Sequence, residues 1–212
     1  MIVVAPAEPG DLTAAASVLA EAFVDDPVTG TLLGGRGHDR SARAHHLFVG
    51  LLRPVIADGT VDVARRAGQD DVLGVAIWEA PDAVTTIPRL MAQLPSFWRA
   101  CGPDHLWRAL VTKRAVDRYR PRPPHWYLQE IGVADAARGQ GVGGALLDAR
   151  LATVDGQDAA AYLESSTERN RRLYRRHGFV DGVPVRGIPA APVTMWRAPA
   201  SERVGRPAQL TS

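Results

Sequence analysis

The stretch Arg138-Gly139-Gln140-Gly141-Val142-Gly143-Gly144-Ala145 lies between a strand-like run that ends at Val133 and an amphipathic helical pattern that continues to about Val154. A backbone with so few side chains allows a ligand to approach closely. Its N–H groups then open a helix, where unpaired donors and the positive end of the helix dipole favour phosphate oxygens. The stretch therefore predicts a pyrophosphate-binding turn.

Two other glycine-rich turns are alternatives. Gly139, Gly141 and Gly144 also satisfy the dinucleotide fingerprint G-x-G-x-x-G, and Glu164 follows at about the distance of the ribose-binding acid. In a Rossmann domain, however, the first glycine closes the turn directly after the strand, whereas residues 134–138 intervene here. Too few residues follow Gly144 for the remaining βαβ units. A P-loop is excluded because no Lys-Ser or Lys-Thr follows the glycines.

A second segment lies downstream of the turn. A strand pattern over residues 159–164 is followed by Asn170-Arg171-Arg172-Leu173-Tyr174-Arg175-Arg176-His177-Gly178-Phe179. Together the two segments resemble the GNAT superfamily of N-acetyltransferases, which pairs an R/Q-x-x-G-x-G/A loop with a downstream N-x-x-x-Y-x-x-x-G-F segment. Within this superfamily the chain is most similar to puromycin N-acetyltransferase-like members, in residues 22–27, 125–133 and 163–166.

The resemblance implies an α/β (α+β) GNAT fold. Its central sheet would be mixed but mostly antiparallel, splayed at the acyl-CoA site and flanked by helices. We expect one acetyltransferase domain over residues 1–200 and a disordered tail over 201–212. Residues 81–122 form an extra helical insertion with two of the five tryptophans. It acts either as a lid on the acceptor pocket or as a cover of the sheet.

Apolar periodicity and turn residues predict the individual elements. In the first half these are an edge strand at 2–5, a helix capped by Asp11 and continuing to Phe23, a loop at 25–30, a helix at 39–56, and antiparallel strands at 60–64 and 72–78. In the second half these are a central strand at 126–133, a helix at 141–154, a strand at 159–164, a helix at 169–177, and a hairpin of 179–185 with 193–197. The 25–30 loop either borders the acceptor pocket or is only a capped turn.

Composition limits the other classes. The 212 residues, 46% hydrophobic and 23% charged, fit one soluble domain. No run approaches the ~20 apolar residues of a membrane span, and residues 1–8 lack the features of a signal peptide, so we expect a cytoplasmic protein without a membrane partner. The single cysteine, Cys101, excludes an internal disulfide. The six histidines lack ligand spacing, so no metal site is expected.

Basic charge is carried almost entirely by arginine, since Lys113 is the only lysine. The arginines are spread along the chain without a basic arm or interleaved aromatic residues, which argues against nucleic acid as a partner. The densest group flanks the proposed cofactor site and consists of Arg169, Arg171, Arg172, Arg175 and Arg176. A polyanion such as CoA is a sufficient reason for positive charge there.

The resemblance assigns an acetyl-CoA site to three segments. The pantetheine arm and acetyl group would contact Ile131, Gly132 and Val133, with a backbone N–H near Val133 polarising the thioester carbonyl. The pyrophosphate would be held by Arg138, Gly139, Gln140, Gly141, Val142, Gly143 and Gly144. Asn170 would either hydrogen-bond the pantetheine arm or cap its helix. Gly132 is also consistent with a bulge in the strand.

Acetyl transfer to an amine needs a general base and a general acid. Tyr174 is the favoured acid, because it shares a helix face with Asn170 and a phenol of pKa ~10 can protonate a thiolate. Glu130 is the favoured base, because a carboxylate inside an apolar strand is unusual unless it is paired or functional. Strand alternation would place it on one face with Leu128 and Gly132. Glu164 is the second candidate base, and both carboxylates are alternatively ion-pair partners of nearby arginines.

The resemblance therefore implies transfer of the acetyl group of acetyl-CoA to a primary amine of a small molecule. No nucleophile motif such as G-x-S-x-G is present, so direct transfer in a ternary complex is expected. The alternatives are a protein or peptide N-acetyltransferase and a non-catalytic acyl-CoA-binding sensor. The oligomeric state stays open between monomer and homodimer.

Overall fold

The computed structural model describes residues 1–33, 38–83, 92–188 and 191–204. Within these residues the strands are β1 (Ile2–Pro6), β2 (Val61–Arg66), β3 (Gly74–Glu79), β4 (His125–Val133), β5 (Ala160–Ser165), β6 (Val180–Pro184) and β7 (Val193–Arg197). They form one seven-stranded sheet in the order β1-β2-β3-β4-β5-β7-β6. Only the β4–β5 pair is parallel. The prediction of a mixed, mostly antiparallel sheet is confirmed.

Helices cover both faces of this sheet. They are α1 (Leu12–Phe23), α2 (Pro27–Leu33), α3 (His38–Leu52), α4 (Leu94–Asp117), α5 (Val142–Gly156), α6 (Glu168–Arg176) and α7 (Ala200–Val204). One apolar cluster packs α1 and α3 against β2 and β3, and a second packs α5 against the other face. In the described ranges, none of the helices is both long and apolar enough to cross a membrane.

The segment at residues 25–30 is not a simple loop, because Pro27 begins the additional helix α2. Asp26 precedes this helix, and its Oδ1 accepts hydrogen bonds from the backbone N–H groups of Val28 and Thr29, both at 2.9 Å. This is the bonding pattern of an N-cap, and proline is tolerated at the first position of a helix. The capped-turn interpretation was therefore right about Asp26, but the turn continues as a helix.

Two smaller differences concern helix ends. Asp11 does not cap α1 with its side chain. Its Oδ2 instead accepts a hydrogen bond from the backbone N–H of Glu8 at 3.0 Å, which closes a 3₁₀ turn before the helix. The second predicted helix ends at Leu52 rather than at residue 56, and Ile56–Asp58 form a separate 3₁₀ turn.

An irregularity in β4 changes which side chains share a face. The β3–β4 register pairs Ile77 with Glu130 and then Trp78 with Leu128, so Gln129 is an extra residue in β4. A bulge of this kind reverses the alternation of side chains beyond it. Leu128 therefore packs on the α5 side of the sheet, whereas Glu130 is on the α1 side. The prediction that they share a face was wrong.

Gly132 has a different role from the predicted bulge. A Cβ at this position would lie 2.9 Å from Leu19 Cδ2 and 3.0 Å from Ala22 Cβ. The first distance is shorter than real Cβ atoms show and the second is at the tight end of their range, so a side chain at this position would push α1 away from β4.

The predicted insertion is dominated by the long helix α4, which is kinked at Gly102 (φ 68°). The described part of this helix packs against α2 and α3, with Phe97 among the contacting side chains. Trp98 and Trp107 are 57% and 63% exposed. These contacts are with helices rather than with the sheet, so the lid and the cover of the sheet both stay predictions. Residues 84–91 of the insertion lie outside the described residues.

Residues 201–204, which the sequence analysis assigned to the tail, belong to α7. The backbone N and Oγ of Ser201 donate hydrogen bonds to the Asp158 carboxylate at 2.9 and 2.7 Å. Arg203 pairs with Asp155 at 2.7 Å. These contacts attach residues 201–204 to the domain, and residues 205–212 lie outside the described residues.

Candidate active site

A cavity of about 1130 Å³ opens where β4 and β5 separate. The two parallel strands are paired only from His125↔Ala160 to Tyr127↔Tyr162. Beyond that point the C-terminal part of β4, residues 131–133, lines the cavity on one side, and the loop after β5, residues 166–167, lines it on the other. A strand edge that has lost its neighbour can bind an extended ligand as an added strand.

The glycine turn forms the next part of the cavity wall. Gly139 and Gly141 have φ angles of +78° and +81°, a backbone conformation that favours glycine. Nothing lies within 4 Å of the position that a Cβ would occupy at either residue. The turn leads directly into the first residue of α5, Val142. The lining contains Arg138, Gly139, Gly141, Val142, Gly143 and Gly144. This geometry suits phosphate oxygens at the start of α5.

Gln140 is the one member of the predicted turn that does not line the cavity. Its Oε1 accepts a hydrogen bond from Arg66 Nη2 at 2.5 Å, and its Nε2 donates to the carbonyl oxygen of Ala136 at 2.8 Å. The side chain is therefore engaged with β2 and with the preceding turn.

The arginine cluster divides into two sets. Arg171 and Arg175 both pair with Glu168, at 2.8 and 2.7 Å, and do not line the cavity. The other three members, Arg169, Arg172 and Arg176, line the cavity, as does Arg138 of the glycine turn. Arg138 pairs with Asp135, which also lines the cavity. The positive charge of the wall around the glycine turn therefore comes mainly from Arg169, Arg172 and Arg176.

Helix α6 presents Asn170 and Tyr174 to the cavity. Thr167 is the N-cap of this helix, since its hydroxyl oxygen accepts a hydrogen bond from Asn170 N at 3.2 Å. Asn170 is therefore not the cap, and its side chain is available to a ligand. Tyr174 lies one turn later, is only 5% exposed and packs edge-on against Phe179. Burial and the nearby charge of Glu130 raise the pKa of Tyr174, so its phenol is protonated at neutral pH.

Glu130 lies behind this wall, half-buried on the α1 side of β4. It is not part of the cavity lining. Burial raises its pKa to about 8, and the charges of Asp26 and Glu164 add to the shift. Glu130 and Tyr174 are close enough to influence each other electrostatically. A carboxyl group with this pKa exchanges a proton near neutral pH, which suits a general base.

Glu164 ends β5 and belongs to a different hydrogen-bond network. Tyr127 Oη donates to its Oε2 at 2.9 Å, and the Arg120 guanidinium lies 4.6 Å from the centre of the Tyr127 ring. Burial raises the pKa of Glu164, while the hydrogen bond from Tyr127 opposes the rise. Within the part of the chain that the structure describes, neither Glu130 nor Glu164 forms an ion pair with an arginine. The ion-pair alternative is therefore not supported.

A second part of the lining comes from α1, from α3 and from the loop after α1. Asp26 Oδ2 accepts a hydrogen bond from Ser166 Oγ at 3.0 Å, which joins the α1–α2 loop to the β5–α6 loop. The polar side chains of this part of the lining are Ser17, Glu21, Asp25, Asp26, Ser41 and His45. Only the 25–30 stretch had a signal in the sequence, as a loop that might border the pocket, and residues 25–27 do line it.

Across residues 1–33, 38–83, 92–188 and 191–204, no group of three or more His, Cys, Asp or Glu side chains is arranged to hold a metal ion.

A sheet that splays beside a glycine turn is the architecture of a GNAT-type acyltransferase, and the comparisons with known proteins agree. Residues 103–181 match the acetyltransferase (GNAT) domain model. A crystal structure of "histone acetyltransferase HPA2 and related acetyltransferase" from Corynebacterium glutamicum is 31% identical in sequence, over 94% of this chain and 97% of that chain, with a TM-score of 0.68. The chain belongs to the GNAT acetyltransferase family.

More distant structures share the fold. A mosquito arylalkylamine N-acetyltransferase-like protein is 15% identical over 93% of this chain and 100% of that chain, with a TM-score of 0.60. The polyamine N-acetyltransferase of Drosophila melanogaster is 18% identical over 92% of this chain and 97% of that chain, with a TM-score of 0.56. At these identities the similarity extends to the fold alone.

Proposed function

We propose that this protein transfers the acetyl group of acetyl-CoA directly to a primary amine of a small molecule. The observation that carries this proposal is the composition of one cavity. It combines a phosphate-type glycine turn, a strand edge free for an extended ligand, and a protonated tyrosine, with a carboxyl group of raised pKa just behind its wall. Direct transfer needs these four elements and no covalent nucleophile.

The residues present fit acetyl-CoA as co-substrate. The pyrophosphate would lie against the N–H groups of residues 139–144, with Arg138, Arg172 and Arg176 neutralising its charge. The pantetheine arm would run along residues 131–133 of β4, and the Asn170 amide would hydrogen-bond it from α6. Acyl-CoA binding at this place is also what the family implies.

The chemistry would then proceed in one displacement. The acceptor ammonium loses a proton to Glu130, directly or through water, and the free amine attacks the thioester carbonyl. The C–N bond forms, the C–S bond breaks, and a backbone N–H near Val133 stabilises the oxyanion in between. Tyr174 donates its proton to the departing thiolate, which leaves as the free thiol. The nitrogen of the new C–N bond then loses its second proton, which returns through water to the Tyr174 phenolate, so that a neutral amide and the phenol result. Glu164, fixed by Tyr127, is the alternative base.

The chemical class of the acetyl acceptor is inferred from the charged side chains that line the cavity. The part of the lining that comes from α1 and the loop after it carries Glu21, Asp25 and Asp26, and a group of carboxylates favours a cationic amine. Proteins of the same fold that are described as polyamine and agmatine N-acetyltransferases support an amine as acceptor. The resemblance to puromycin N-acetyltransferase-like members adds puromycin to the amines to be tested.

A second candidate is a protein or peptide acceptor. It is favoured by the 31%-identical relative, which is described as a histone acetyltransferase and related acetyltransferase. Such an enzyme would acetylate basic peptides more efficiently than free amines.

The test is thiol release from acetyl-CoA by the purified protein with puromycin, arylalkylamines, agmatine, polyamines, aminoglycosides and histone-tail peptides. Faster release with a small amine than with any peptide supports the proposal, and the reverse order supports the second candidate. No release with any acceptor, together with a melting temperature raised by acetyl-CoA, would indicate a non-catalytic sensor.

A further inference from the structure

Helices α1 and α3 form a polar groove that the proposed reaction does not use. Ser17 and Glu21 come from α1, and Ser41 and His45 come from α3. In each helix the two residues are four positions apart, so they lie on one face. All four line the cavity, and none belongs to the glycine turn, to β4 or to α6. Backbone N–H of Asp135 donates to Glu21 Oε1 at 3.2 Å, which attaches the groove to the loop after β4.

A chain of hydrogen bonds sets the tautomer of His45. Ser17 Oγ donates its single proton to the carbonyl oxygen of Thr13 at 3.0 Å, and the same Oγ lies 3.4 Å from His45 Nδ1. Because a hydroxyl group has only one proton to donate, the hydrogen of the second contact must come from Nδ1. In the neutral imidazole the other nitrogen, Nε2, is then a hydrogen-bond acceptor.

The charges of the surrounding side chains indicate what kind of ligand would hydrogen-bond to His45 Nε2. Burial and the neighbouring His46 lower the pKa of His45, so the ring is neutral at pH 7. The lining residues contributed by α1 and the loop after it include the carboxylates of Glu21 and Asp25, whereas the lining arginines come from the glycine turn and α6. A polyanionic CoA is repelled by these carboxylates, whereas a ligand with N–H or O–H donors matches them.

We propose that His45 is a specificity-determining residue that accepts, through Nε2, a hydrogen bond from a second donor group of the amine substrate. The preferred acceptor therefore carries an additional amino or hydroxyl group besides the amine that is acetylated. This inference rests on the proposed function, because it names the substrate class of the same site.

The first part of the test determines the tautomer of His45 and does not depend on acetyltransferase activity. Side-chain ¹⁵N spectra of the protein, with His45 assigned from a His45→Ala variant, are expected to show a protonated Nδ1 and an unprotonated Nε2 at pH 7. Addition of 1,4-diaminobutane in the presence of CoA is expected to shift the Nε2 signal. A protonated Nε2, or an Nε2 signal unchanged at millimolar diamine, would overturn the inference.

The second part compares 1,4-diaminobutane with butylamine, which lacks the distal group. His45→Ala is expected to lower kcat/KM for the diamine about tenfold, by raising KM, and to leave kcat/KM for butylamine unchanged. In His45→Gln the amide oxygen replaces Nε2 as the hydrogen-bond acceptor, so this variant is expected to recover most of the lost kcat/KM. The matched control is His46→Ala, since His46 is half-buried on the same helix but does not line the cavity.

An equal loss with both amines, an equal effect of His46→Ala, or a weaker affinity for acetyl-CoA contradicts the role of His45. Failure of the proposed function has a different signature, because the wild-type protein would then release no thiol with any amine. The Nε2 signal still decides the inference in that case.

Discussion

The cavity has two walls that are built in different ways. The donor wall comprises residues 131–133, the glycine turn and the cavity side of α6, all within one continuous stretch of the chain. The acceptor wall comprises Ser17, Glu21, Asp25, Asp26, Ser41 and His45, which come from α1, α3 and the loop after α1. The donor wall offers backbone N–H groups and arginines, and the acceptor wall offers side-chain oxygens and an imidazole. Their opposite charges would orient a polyanionic donor and a cationic acceptor in one cavity.

Glu130 is the favoured base and directly precedes residues 131–133 of the donor wall, so its replacement is expected to have the largest effect. Glu130→Gln removes the base and should lower kcat/KM for the amine by about 10³-fold, within the range of general acid–base catalysis. The wild-type kcat/KM should rise with pH through an apparent pKa of about 8, because only the ionised carboxylate accepts a proton. This rise should be absent in the variant, as measured by thiol release between pH 6 and 9.5.

The control for this substitution is Glu164→Gln, which removes the other candidate base. If Glu164→Gln shows the larger loss and abolishes the pH dependence, the base is Glu164. Acetyl-CoA affinity by calorimetry should be unchanged in both variants.

Substitution of Tyr174 tests whether this residue of the donor wall is the general acid. Tyr174→Phe removes only a hydroxyl group and is expected to lower kcat about 10²-fold, with little change in the affinity for acetyl-CoA. Tyr162→Phe is the matched control, because Tyr162 is also buried but does not line the cavity. Equal rates for the two variants in the thiol-release assay would contradict the role of Tyr174.

A substitution in the glycine turn tests whether the backbone conformation of the donor wall contributes to acetyl-CoA binding. Gly141→Ala forces a side chain into positive φ, at a cost of about 1–2 kcal/mol, and should raise the Kd of acetyl-CoA about tenfold. Gly59→Ala introduces the same strain at φ +70°, also with nothing within 4 Å of the new Cβ, but far along the chain from the turn. Calorimetric titration should show normal affinity for Gly59→Ala. A parallel loss in both would mean that global strain explains the effect.

The smallest expected effect comes from Asp26 on the acceptor wall. Its charge contributes to the raised pKa of Glu130, so Asp26→Asn should move the pH profile of kcat/KM to lower pH by less than about one unit. At saturating amine, kcat at pH 7 is then retained or slightly increased, because more Glu130 is ionised, whereas the KM for a cationic amine rises because one carboxylate of the acceptor wall is lost. Asp25→Asn lies next to it in the same wall and should leave the midpoint unchanged. A shift to higher pH in Asp26→Asn would contradict this electrostatic coupling.

The donor wall was largely predictable from the sequence because its chemistry depends on local features. Glycines at fixed spacing determine the turn, and the Asn170 and Tyr174 spacing determines one helix face. Both patterns hold without knowledge of the rest of the chain. Gln140 is the exception, since its side chain is turned away by Arg66 of β2, a residue distant in sequence.

The acceptor wall was not predictable in the same way. Ser17 and His45 become neighbours only when α1 packs against α3. The hydrogen bond between Asp26 and Ser166 joins residues that are 140 positions apart in the sequence. The faces of β4 were also predicted incorrectly, because the bulge at Gln129 arises from pairing with β3. Strand alternation alone carries no information about such a register shift.

The sequence by itself therefore determined the family, the mixed sheet and the residues proposed to bind the acyl donor, because each rests on short-range spacing and backbone conformation. Only the tertiary structure decided which face of β4 carries Glu130, why a side chain at position 132 would displace α1, and which polar side chains surround the acceptor. These features depend on contacts between segments far apart in the chain, where burial and neighbouring charges set both geometry and pKa.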